Sequence, residues 1–105
     1  MLSYIKSAYQ GDSEYAISER LINEYGQDLA DEGKYSEAIK FYNLNLELYP
    51  QGYFTHRTFN YLAHCYEEMG RREEAIHYYE RSLEANNRNF TAEDGLHRLK
   101  NKEKG

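Results

Sequence analysis

A chain of 105 residues has room for one domain at most, and its formal charge of −5 argues against the basic stripe of a nucleic-acid binder. A single cysteine excludes an internal disulfide and suits a reducing compartment, so a cytoplasmic location is expected. The opening residues lack the apolar core of an export signal, and no stretch approaches the ~20 apolar residues that span a bilayer, so no membrane attachment is expected.

Leu2, Ile5, Ala8 and Tyr9 follow helical spacing and stop at Gly11. Tyr15, Ile17, Leu21, Ile22, Tyr25 and Leu29 then trace an apolar stripe to about Glu32, with Ser18 offering a cap and so a break inside it. Gly33-Lys34-Tyr35 is a tight turn, and Ser36 opens a helix carrying Ala38, Ile39, Tyr42, Leu46 and Leu48 that Pro50 ends. After a loose connection at 51–55, Phe59, Tyr61, Leu62, Cys65, Tyr66 and Met69 mark the next helix. Gly70 turns the chain into a helix with Ala75, Ile76, Tyr79 and Leu83, which ends at Asn86-Asn87. A last helix is opened by Thr91, with Asp94 completing a weak capping box and Phe90 as a hydrophobic staple before it. The basic residues around Lys100 read as part of a frayed, solvated terminus.

The series Ile22, Tyr25-Gly26, Leu29, Ala38, Tyr42 recurs as Phe59, Leu62-Ala63, Tyr66, Ala75, Tyr79, each member 37 positions on. These residues, with the runs Gly33-Lys34-Tyr35-Ser36-Glu37-Ala38-Ile39 and Gly70-Arg71-Arg72-Glu73-Glu74-Ala75-Ile76, resemble the tetratricopeptide repeat family. The resemblance implies an all-α, right-handed α-solenoid of stacked antiparallel helix pairs with flanking capping helices. Its expected parts are an N-terminal cap or degenerate repeat at 1–18, repeats at 19–52 and 56–89, a capping helix at 90–102 and a frayed end at 103–105. Ile22 and Phe59 replace the customary Trp, and Asn87 replaces the closing Pro of the second copy. Leu44-Asn45-Leu46-Glu47-Leu48-Tyr49-Pro50 also resembles the two-repeat tail behind some bacterial β-lactamase-like serine hydrolases and esterases. That second resemblance implies an alternative role as a docking or dimerisation tail.

Candidate chemistry is sparse. Ser3-x-x-Lys6 matches a β-lactamase nucleophile motif, but the companion Ser-Asp-Asn and Lys-Thr-Gly motifs are missing. His56, His64, His77 and His97 lack metal-ligand spacing, so no metal or other cofactor is expected. Cys65, among Leu62, Ala63 and Tyr66, reads as a packed thiol. The pairs Glu67-Glu68 and Glu73-Glu74 point about 100° apart on a helix, which suits solvated faces rather than paired catalytic acids. No enzyme is expected.

What remains is one polar stripe per unit: Arg20, Asn23, Gln27, Ala30 and Asp31 on the first, and Arg57, Asn60, His64, Glu67 and Glu68 on the second. The resemblance implies that these stripes line a concave groove holding a peptide or helix of a protein partner; the alternative is a wetted face without a ligand. Asp31, Glu67 and Glu68 are expected to repel an acidic peptide. Two units fall short of the usual three or more, so the flanking helices, a homodimer or docking on another protein is expected to complete the stack. Tyr4, Tyr9, Tyr53, Phe54 and Tyr78 lie off the main stripes and offer an aromatic surface for such contact.

Overall fold

The computed structural model of the chain describes residues 12–104, with the side chains of residues 18–101. The helix expected over the first residues, Gly11, the Ser3 and Lys6 pair, and Tyr4 and Tyr9 of the expected aromatic surface lie outside the described residues. Five helices follow: α1 (Asp12–Asp31), α2 (Tyr35–Leu48), α3 (Thr55–Glu68), α4 (Arg72–Ala85) and α5 (Phe90–Lys104). No strand occurs among the described residues.

Two glycine turns set the pairing. Gly33 (φ 81°) and Gly70 (φ 77°) take the left-handed conformation that glycine adopts without a steric penalty. At the first turn Lys34 N donates to Leu29 O at 2.9 Å, and at the second Arg71 N donates to Tyr66 O at 2.8 Å. These bonds satisfy carbonyls left over at a helix end and return the next helix against the last. α1 therefore packs on α2 and α3 on α4, while α2 meets α3 and α4 meets α5 in a continuous stack.

The interior runs through the stack as two joined clusters. Ala38, Tyr42, Leu62 and Cys65 form the first; Ala63, Ala75, Tyr79, Ala92 and Leu99 form the second. Tyr66 and Tyr78 pack against both, and their rings stack at 5.5 Å with an interplanar angle of 2°. The alanines let helices approach closely enough for the tyrosine rings to fill the space between them. Gly26 shows how tight that contact is: a Cβ there would stand 2.7 Å from Tyr42 Cζ.

Several local expectations are corrected. α1 runs unbroken through Ser18. Leu21 and Tyr25 are 44% and 47% exposed, because the inward row of α1 is Glu19, Ile22, Asn23 and Gly26. α2 begins at Tyr35 rather than Ser36, after Lys34, which makes no side-chain cap. At α5 the cap is Asn89, whose Oδ1 accepts from Ala92 N at 3.2 Å, and not Thr91. Phe90 is the first residue of that helix and is 81% exposed, so it does not act as a staple.

Candidate functional site

The helices α1, α3 and α5 together wall an open cleft of about 990 Å³, with side chains of α2 and α4 as its floor. Gln27, Ala30 and Asp31 come from α1, and Arg57, Asn60, His64, Glu67 and Glu68 from α3. These eight come from the two sequence stripes, and the structure brings them together. Tyr35, Tyr42, Tyr61, Cys65 and Tyr79 also line the cleft, and Thr91, Asp94 and Arg98 close it from α5. The α5 contribution was hidden in sequence because Arg98 reads as part of a basic terminus.

Two of the expected site residues lie elsewhere. Arg20 is exposed and pairs with Glu24 along its own helix at 3.3 Å, outside the cleft. Asn23 is 5% exposed and belongs to the core. Its Nδ2 donates to Thr58 Oγ1 at 2.9 Å, and its Oδ1 accepts from Asn45 Nδ2 at 2.8 Å. Asn45 in turn donates to the Glu19 carbonyl at 2.9 Å, so α1, α2 and α3 are tied by one buried polar chain. The expectation of Asn23 as a groove residue failed because its helix turns that row toward α2 and α3. Asn60, its counterpart 37 positions on, is half-buried and donates to Asn89 Oδ1 at 3.0 Å, which joins α3 to the start of α5.

Glu19 was missed entirely. It is 1% exposed, and its Oε2 accepts from Phe54 N at 3.0 Å at the entry to α3. Burial pushes its carboxyl above the usual carboxylate range, against the backbone bonds from Phe54 and Tyr53 that favour the ionised form. Gly52 leaves the room that this carboxylate occupies.

Charges in the cleft are unequally satisfied. Arg98 grips Glu67 with two bonds, Nη2 to Oε1 at 2.8 Å and Nε to Oε2 at 3.2 Å, and its Nη1 lies 3.5 Å from Asp94. The Tyr79 hydroxyl donates to the same Glu67 carboxylate at 3.1 Å. Burial pushes the Tyr79 phenol up to about 12, so it stays a donor at neutral pH. Arg57 stands over the Phe54 ring at 5.4 Å. Gln27, Asp31, His64 and Glu68 are exposed, with no hydrogen bond or ion pair to the described residues. Cys65 is fully buried, and burial, with Glu68 nearby, pushes its thiol up to about 11.

A family model for the tetratricopeptide repeat matches residues 16–88, more than half of the chain. The chain belongs to the tetratricopeptide repeat family. Tetratricopeptide repeats are protein–protein interaction modules, and that general role comes with membership. The search of curated proteins gave no match. No helix among the described residues is long and apolar enough to cross a membrane, and no three metal-ligating side chains converge among them.

Proposed function

We propose that the cleft between α1, α3 and α5 is a non-catalytic docking groove for an extended peptide, or one face of a helix, of a protein partner. One observation carries this reading: two helices, α1 and α3, turn Gln27, Asp31, His64 and Glu68 toward one open space and leave all four without a hydrogen bond or ion pair among the described residues. Amide, imidazole and carboxylate groups so placed can donate to and accept from a peptide backbone. The acid–base balance also differs from a bare count. Glu67 is held by Arg98 and Tyr79, so the unpaired acids facing a ligand are Asp31 and Glu68. The non-catalytic part of the reading is supported by Cys65, whose thiol is buried and held well above neutral pH.

The test is site-specific photocrosslinking. Benzoylphenylalanine is placed at position 64, inside the cleft, or at position 77, exposed on α4, and each protein is irradiated in an extract of the native cells. A protein adduct from position 64 with none from position 77 is expected. Equal adducts from both positions, or an adduct from 77 alone, would reject the groove.

A further inference from the structure

The two halves of the cleft are built alike and finished differently. Tyr42 and Tyr79 occupy matching places in α2 and α4, each packed behind an alanine of its own helix, Ala38 or Ala75. Both are nearly sealed, at 1% and 2% exposure, and both line the cleft. The Tyr79 hydroxyl is covered from inside the chain by the carboxylate of Glu67. Twelve positions before Tyr42, where Glu67 stands before Tyr79, the first half has Ala30.

The Tyr42 hydroxyl therefore has no carboxylate to donate to, and it makes no hydrogen bond to any described residue. That oxygen opens onto the cleft, where solvent reaches it, so a ligand that takes the place of water there can accept from it. Its ring is immobilised between Tyr61, stacked at 5.5 Å, and the Gly26 backbone, so the hydroxyl is fixed in position. Asp31, the neighbour of Ala30, is exposed on the same wall and unpaired. An incoming group must then accept from a phenol and tolerate a carboxylate beside it. A second carboxylate fails on charge, and an ammonium has no acceptor for the phenol. A carboxamide satisfies both.

We propose that the space over Tyr42, left open by Ala30, is a side-chain subsite for a glutamine or asparagine of the bound peptide, its C=O accepting from the Tyr42 hydroxyl and its NH₂ donating to Asp31. This subsite rests on the docking groove argued above and specifies what that groove reads.

The probe is a display library of random twelve-residue peptides selected on the folded chain, with the survivors synthesised and measured by fluorescence anisotropy. Gln or Asn is expected to recur at one position. Exchange of that residue for Glu, or Tyr42→Phe in the protein, is expected to weaken binding about fivefold to tenfold, the worth of one well-placed hydrogen bond. Tyr42→Phe should leave the melting temperature unchanged, because the hydroxyl bonds nothing in the free chain. Ala30→Glu supplies the missing acceptor from within, so it should abolish binding without lowering the melting temperature. Peptides that bind in competition with one another, weaken on His64→Ala, yet ignore Tyr42→Phe would overturn the subsite and leave the groove standing. A recurring Glu, Lys or apolar residue where Gln or Asn is expected would do the same. A library that yields no binder, or only binders indifferent to every cleft substitution, would overturn both.

Discussion

Replacing Asn23 by alanine separates a core role from a binding role more sharply than any other single change. Asn23 joins α1 to α3 through Thr58 at 2.9 Å and to α2 through Asn45 at 2.8 Å. Each bond contributes about 1 kcal/mol net, and neither lost partner is stranded completely. Thr58 Oγ1 still reaches Phe54 O at 3.1 Å, and Asn45 Nδ2 still reaches Glu19 O. Adding the small void left in a site that is 5% exposed, Asn23→Ala should cost about 2–3 kcal/mol. A domain of this size has only ~5–15 kcal/mol in hand, so the melting temperature should fall by about 8–20 °C. Urea titration followed by circular dichroism at 222 nm gives the number, with an unchanged slope showing that the unfolded ensemble is the same. His64→Ala, at an exposed position of the cleft, is the control and should stay within about 0.5 kcal/mol. A loss for Asn23→Ala as small as the control's would refute the buried chain of bonds and return Asn23 to the surface.

Three further outcomes are expected. Gly26→Ala gains about 1 kcal/mol of helix propensity, but its Cβ presses on the Tyr42 ring at a cost of about 1–3 kcal/mol, so thermal melting should show a net loss; a stabilised variant would refute the close contact. Cys65 should react with a disulfide reagent at pH 8 only as fast as the chain opens, because it is fully buried with its thiol held up to about 11, and instant labelling in native buffer would contradict that burial. Glu19 binds its proton more tightly folded than unfolded, so its contribution makes stability fall as pH rises from about 4.5 through the raised native value and then level off. Glu19→Gln should remove that slope from urea midpoints measured between pH 4 and 8; identical slopes in the two proteins would show that Glu19 titrates normally.

Much of the stack was legible from residue types alone. The recurrence at 37 positions placed Ala38 under Tyr42 and Ala75 under Tyr79, and it marked Gly33 and Gly70 as turns, because close helix packing and left-handed backbone each demand particular residues. The polar stripes were legible in the same way, and eight of their ten residues meet in the cleft. Periodicity misled where the inward row of a helix is itself polar. Glu19, Asn23 and Asn45 look like surface residues one at a time, whereas Leu21 and Tyr25 look like core.

Sequence by itself thus determined the helix pairs, their turns and the family, since these follow from short-range rules of spacing, sterics and backbone conformation. Only the tertiary structure decided which polar residues are buried together and which stay unpaired. Whether an asparagine is a ligand contact or a core tie depends on the orientation of three helices at once. The neutralisation of Glu67 likewise follows from Arg98 reaching it across 31 residues, a meeting of side chains that no local pattern encodes.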